Sequence, residues 1–232
     1  MQIPFYFITN PSDEQLTNFK LNYERLSGSH VELTYLKKAK VFIFYDGPEM
    51  VGGYVLSSAS DGNVFRYFSI FEDNAAQATL GQLKKLFQID ETKALEIGCV
   101  WMKKKKSVLA NRHFFYKVLA LETLKIVKKK NYAYVFGGAI EPHTQRFQSM
   151  FLDKIFYQGI KPTKEEGTLK NHEGKLIMIY FIRASDIKLK FMKLFLNLYF
   201  AKMNNLKAKF SQKMKKMLEN EVFIGNLTTS QS

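Results

Sequence analysis

Apolar positions along this chain switch between two periods, and each switch marks the edge of an element. The run PFYFIT is short and breaks at Asn10-Pro11-Ser12, where Ser12, with Gln15 three residues later, makes a helix N-cap. Leu16, Phe19, Tyr23 and Leu26 then recur at helical spacing until Gly28 closes the helix. VFIFYDGPEMVGGYVL holds two β-rich runs around Asp46-Gly47-Pro48 and predicts a hairpin. NVFRYFSIF predicts a further strand, and TLGQLKKLF a short helix after it.

From Ala94 to Gly159 the pattern predicts a strand, a basic loop, a helix, a second strand and another helix. In ALEIGCVWM, strict alternation puts Glu96, Gly98, Val100 and Met102 on one face and Leu95, Ile97, Cys99 and Trp101 on the other. Gly98 inside a strand marks a bulge or a close backbone approach. KKKKSVLANRH follows as a loop carrying Lys103, Lys104, Lys105, Lys106 and Arg112. Phe115, Val118, Leu119, Leu124 and Val127 give the next helix a buried face, and Lys128, Lys129 and Lys130 suit its C-terminal end. Tyr132 to Ile140 reads as a buried strand in which Gly137 and Gly138 let something approach the backbone closely. HTQRFQSMFLDKIFYQG predicts the second helix, and LIMIYFIR the final strand. The polar stretch PTKEEGTLKNHEGK before it suits a hairpin loop or flap. The resulting fold class is α/β (α+β): a mixed sheet, mostly antiparallel, flanked by helices.

After Arg183, Met192, Phe195, Tyr199, Met203, Leu206, Phe210, Met214 and Met217 recur every three or four residues on an otherwise lysine-rich segment. This predicts a basic amphipathic helical extension over 184–224, with a break at Asn204-Asn205 and a disordered tail over 225–232, behind a globular domain over 1–183. Such a helix lies in an anionic membrane interface, packs back on the domain, or pairs with a second copy to give a homodimer. No helix-turn-helix, zinc-finger or RNA-recognition signature accompanies it, which argues against nucleic acid.

Composition narrows this picture in two ways. The 232 residues, 46% hydrophobic and 15% aromatic, suffice for one good core with an appendage. The net charge of +14 calls for an acidic partner: a membrane surface, nucleic acid, a phosphorylated cofactor or an acidic carrier protein. Cys99 is the single cysteine, so no intrachain disulfide forms, and the histidines His30, His113 and His172 lack zinc-ligand spacing, so no metal is expected. MQIPFYFITNPSDEQ lacks the features of a signal peptide, and no apolar run reaches the length of a membrane span. The expected location is cytoplasmic, with peripheral attachment to the inner face of the membrane if the C-terminal helix binds lipid.

The order of elements over roughly residues 1–183 resembles the Gcn5-related N-acetyltransferase (GNAT) superfamily. FIFYDGPEMVGGYVL is similar to the central hairpin, LEIGCVWM to the strand whose backbone holds pantetheine, and YAYVFGGAIEP to the strand that splays away from it. FLDKIFYQGIKP is similar to the end of the following helix. The family's pyrophosphate loop carries glycines, and KKKKSVLANRHFF has none. Two readings follow: the four lysines hold phosphate by charge, or the donor is not free CoA. The second is similar to the acyl-homoserine lactone synthases and long-chain N-acyl amino acid synthases of this fold, which take acyl groups from acyl carrier protein.

The resemblance implies an N-acyltransferase that moves an acyl group from acyl-CoA or acyl carrier protein to an amine. It places the donor along Cys99, Val100, Trp101 and Met102, with Lys103 to Lys106 and Arg112 at its anionic end. Glu96 is the leading candidate for general base, Glu141 and His143 are alternatives, and Tyr157, on the expected helix, is a candidate acid for the leaving thiolate. Each has a plainer reading: an ion-paired strand carboxylate for Glu96, helix caps for Glu141 and His143, core packing for Tyr157. The competing functions are a non-catalytic binding or regulatory protein that kept the fold, and a basic membrane- or nucleic-acid-binding protein using it as a scaffold.

Overall fold

A computed structural model describes residues 5–71, 74–140, 154–160 and 175–192. The first strand, β1 (Phe5–Ile8), leads to α1 (Asp13–Ser27), which starts where the sequence says it should. Ser12 accepts from the Gln15 backbone and Gln15 caps back, while Gly28 ends the helix at φ 70. A short α2 (Leu33–Lys38) follows, then the hairpin β2 (Lys40–Asp46) and β3 (Glu49–Ser58). After α3 (Asn74–Phe87) come β4 (Ala94–Met102), the short α4 (Lys106–Ala110), α5 (Arg112–Lys130) and β5 (Tyr134–Ile140). β6 (Lys154–Ile160), β7 (Leu176–Arg183) and a helix over 184–192 complete the described residues. Contacts divide the chain into two units, Met1–Phe191 and Met192–Ser232, and the second lies almost entirely outside the described residues. Ile187 and Phe191, on the helix over 184–192, are buried in the first unit.

Among the described residues the strands form one seven-stranded sheet in the order β1-β2-β3-β4-β5-β7-β6. Neighbours are antiparallel except β4 and β5, which run parallel. α1 and α2 cover one face, where Phe19, Tyr23, Tyr35 and Leu36 meet Val41, Ile43, Val55 and Trp101. On α5, Phe115 packs against Phe44 and Tyr54, so that helix covers the opposite face. This mixed, mostly antiparallel sheet flanked by helices is the expected fold class.

Three local expectations change. Residues 63–71 do not form a strand: a 3-10 turn at Phe68–Ile70 sits in a loop. Phe65, Phe68 and Phe71 are spaced by three, the period of that turn, and all three are buried in one cluster. The backbone N–H groups of Arg66 and Tyr67 go to the Glu96 carboxylate and not to a sheet partner.

Second, residues 154–160 are a strand and not the end of a helix. Phe156 is buried among Phe68, Phe87, Phe136 and Phe181, and the β-branched and aromatic residues of IFYQGI suit a pleated edge. The rest of the helix expected over 143–159 lies outside the described residues.

Third, β4 does not alternate strictly. Cys99 adopts φ 49, and against β3 the pairing steps from Val55↔Gly98 to Gly53↔Trp101, one residue more on β4 than on β3. This β-bulge beside Gly98 turns Cys99 and Trp101 onto the α1 face that Glu96 also occupies.

Candidate functional site

β4 and β5 pair from Ala94↔Tyr134 to Ile97↔Gly137 and then part. Beyond that point β4 continues beside β3 as far as Met102, and β5 beside β7 as far as Ile140, so the two facing edges diverge. Where two strands part, the edges they turn to each other lose their mutual ladder bonds, and such an edge can receive an extended ligand. The bulged stretch Cys99, Val100, Trp101 and Met102 forms one wall of this slot, and Gly138 to Ile140 the other.

A buried polar network flanks the slot on the α1 side. Glu96 has no solvent exposure. Its carboxylate accepts from the Arg66 N–H at 3.2 Å, the Tyr67 N–H at 3.2 Å and the Tyr35 hydroxyl at 3.0 Å. Burial raises the Glu96 pKa above the carboxylate range, against the pull of the Arg66 charge and these hydrogen bonds. Tyr35 is pushed up strongly, first by burial and then by Glu96. The Arg66 guanidinium is itself buried: Nη1 donates to Tyr23 Oη (3.1 Å) and Cys99 Sγ (2.9 Å), and Nη2 to the His30 carbonyl (2.6 Å). Its Nε has no partner. Burial pushes the Cys99 thiol up to about 11, so Cys99 is a packed, protonated thiol.

Tyr67 joins this network to the far wall of the slot. Its hydroxyl donates to the Gly138 carbonyl at 2.6 Å. Its ring lies on Gly138 so closely that a Cβ there would fall 2.0 Å from ring carbons. That is the close approach that the Gly137-Gly138 pair predicts.

Of two concavities among the described residues, the smaller borders the network. One of about 220 Å³ is lined by Thr34, Tyr35, Lys38, Asn63, Arg66 and Ser69 among others. The other, about 660 Å³, runs between α1 and the β2–β3 turn and includes Gln15, Asn18, Asn22, Tyr45, Met50 and Lys103.

The lysine loop begins where β4 ends. Lys103 still pairs through its backbone N–H with the Val51 carbonyl at 2.8 Å. Its ammonium lies 2.7 Å from Glu49, and Lys105 contacts the other oxygen of the same carboxylate. These hydrogen bonds hold Glu49 below the usual carboxylate range. Lys104 is exposed, Lys106 opens α4, and Arg112 opens α5.

Of the expected catalytic residues, Glu96 therefore lies beside the slot with Cys99 to Met102, while Glu141 and His143 lie outside the described residues. Tyr157 stands on β6, which β7 separates from β5, and its ring packs edge-on against Phe71 at 4.8 Å. Tyr35, Arg66 and Tyr67 were not singled out from the sequence. The signals that could have found them are the arginine embedded in an aromatic run and the paired glycines at 137–138. Among the described residues no cluster of His, Cys, Asp or Glu could hold a metal, and no helix is long and apolar enough to cross a membrane.

No family model and no curated protein matches the chain by sequence. Solved structures do match by shape. FeeM, an N-acyl amino acid synthase from uncultured soil microbes, superposes with a TM-score of 0.53 at 13% identity, over 81% of this chain and 96% of that one. The C-terminal condensation domain of Ebony, solved with beta-alanyl-dopamine, gives a TM-score of 0.47 at 13% identity, over 79% of this chain and all (100%) of that one. An IAA acetyltransferase from Bacillus cereus gives 0.47 at 13%, over 78% and 99%. At such identities the likeness is one of fold, and the fold is that of the Gcn5-related N-acetyltransferases, shared with FeeM.

Proposed function

We propose that this protein is an N-acyltransferase that moves an acyl group from a thioester to an amine. The observation that carries the reading is the parting of β4 and β5 directly beside a buried, hydrogen-bonded carboxylate. A pantetheine arm is an extended, amide-bearing chain, and the free edge of β4 over Cys99 to Met102 offers it strand-like hydrogen bonds. The amine nitrogen attacks the thioester carbonyl, the C–N bond forms, and the C–S bond breaks with the electron pair leaving on sulfur. The amine must lose a proton, and Glu96 receives it through Tyr35, whose hydroxyl already donates to the carboxylate and whose side chain borders the smaller cavity. A carboxylate raised above its ordinary range is better matched to that task near neutrality.

The donor's carrier follows from the loop. With no glycine between Lys103 and Arg112, the backbone cannot curl tightly around a pyrophosphate, and charge must serve instead. Glu49 already engages Lys103 and Lys105, which weakens the site for a compact phosphate group and favours an acidic carrier protein approaching the net positive surface. The basic segment beyond Phe191 is proposed to meet an anionic membrane surface.

The test is binding of CoA, acetyl-CoA and acyl-loaded carrier protein, followed by thiol release with mixed amines, for the native chain and Glu96→Gln. Amine-dependent thiol release that drops at least about a hundredfold in Glu96→Gln, with donor affinity retained, supports the reading. Absence of binding to every thioester would leave a non-catalytic protein of this fold.

A further inference from the structure

Resting on the acyl-transfer reading above, we infer that Tyr67 sets the length of the acyl group, closing the slot to all but short chains. Tyr67 is fixed on both sides of the parting. Its backbone N–H is held by Glu96 on β4, and its hydroxyl by Gly138, the first β5 residue beyond the last β4 pair. A residue tied by its backbone to β4 and by its hydroxyl to β5 spans the opening and does not merely line it.

The position matters because the reacting carbonyl must lie near Glu96. An acyl group leaving that carbonyl toward β5 runs into the Tyr67 ring, which rests on Gly138 without a gap. Beyond the ring lies an apolar sector built from Phe65, Phe68, Phe71, Phe136 and Phe156, with Tyr67 at its border. Removing the ring connects the slot to that sector, whose walls suit a hydrocarbon chain. Gly138 is part of the device, since any side chain there would expel the ring.

Each methylene that gains a buried site contributes about fourfold to relative rate. The experiment is thiol release by the full chain with acetyl, hexanoyl and decanoyl donors, each offered on CoA and on carrier protein, for wild type, Tyr67→Ala and Tyr67→Phe. Wild type is expected to favour acetyl. Tyr67→Ala is expected to raise the decanoyl-to-acetyl ratio of kcat/KM by at least about tenfold. Tyr67→Phe, which keeps the ring, holds the ratio within about twofold of wild type. Tyr67→Leu replaces Tyr67→Ala if the latter melts without cooperativity.

A wild type that prefers decanoyl, or an unchanged ratio in active, folded Tyr67→Ala and Tyr67→Leu, overturns the inference. So does loss of turnover with every donor in both folded variants, which would make Tyr67 a support for Glu96. Absence of thiol release by wild type with all donors removes the acyl-transfer reading and this inference with it.

Discussion

The same face of the sheet carries two sectors of opposite character, and the loop over 63–71 feeds both. On one side Arg66 and Tyr67 join Tyr23, Tyr35, Glu96 and Cys99 in a buried hydrogen-bonded network. On the other, Phe65, Phe68 and Phe71 enter a wholly apolar cluster with Phe136, Phe156 and Phe181, completed by Leu80, Ala94, Ile177 and Ile179. The aromatic sector is held by area and ring geometry, which tolerate no exchange with water but also carry no proton or charge. The polar sector buries an arginine and a carboxylate, an arrangement whose desolvation cost is offset by hydrogen bonds to the carboxylate and to both terminal guanidinium nitrogens, while Arg66 Nε is left without one. Apolar packing and the proposed chemistry are therefore divided between neighbouring residues of one nine-residue loop.

The division can be broken most severely at Phe156. Truncation to Ala removes four ring contacts from the aromatic sector and is expected to lower stability by about 3–5 kcal/mol, read by urea denaturation. Thiol release per folded molecule should stay near wild type. A large drop in kcat with little change in stability would mean that the two sectors are not separable.

A smaller effect sharpens the comparison from the polar side. Because Glu96 has its folded-state pKa raised, the native protein keeps a proton over a window in which the unfolded chain has released it. Its titration therefore leaves the folded state fully favoured below the ordinary carboxylate pKa and progressively less so as pH rises toward the folded value. Glu96→Gln has no such titration. The stability of wild type relative to Glu96→Gln should fall as pH rises from about 4.5 across this window, measured by paired urea melts. A constant difference would show that burial does not shift Glu96 and that its three hydrogen bonds fully offset the desolvation.

The smallest expected signal is at Cys99, where the native thiol should resist a disulfide-exchange reagent at neutral pH that modifies the unfolded chain readily. Rapid labelling of native protein would mean that the network opens and that Arg66 leaves Sγ exposed.

Much of the fold was legible because local chemistry decides it. Ser12, Gln15 and Gly28 bound α1 whatever lies around it, and Asp46-Gly47-Pro48 separates β2 from β3. Gly137-Gly138 and Gly98 announced a close approach and a bulge without saying what approached or which way the strand would turn. Glu96 stood out as a carboxylate in an apolar strand. Its partners did not, because Tyr23, Tyr35, Arg66 and Tyr67 look like ordinary members of amphipathic or aromatic runs.

The sequence by itself determined the β2–β3 hairpin, the strong positive charge, the absence of glycine from the basic loop and the capped ends of α1, since each depends on neighbours along the chain. Only the tertiary structure decided that 63–71 is a loop with a 3-10 turn and 154–160 a strand, that the bulge turns Cys99 toward Arg66, and that Tyr67 reaches from Glu96 to Gly138. Those outcomes depend on partners far away in sequence. Two backbone N–H groups found a buried carboxylate thirty residues or so further on, which was worth more to them than a strand partner. Residues 154–160 pair with β7 and bury Phe156 in the aromatic cluster, contacts that a helix there would forgo.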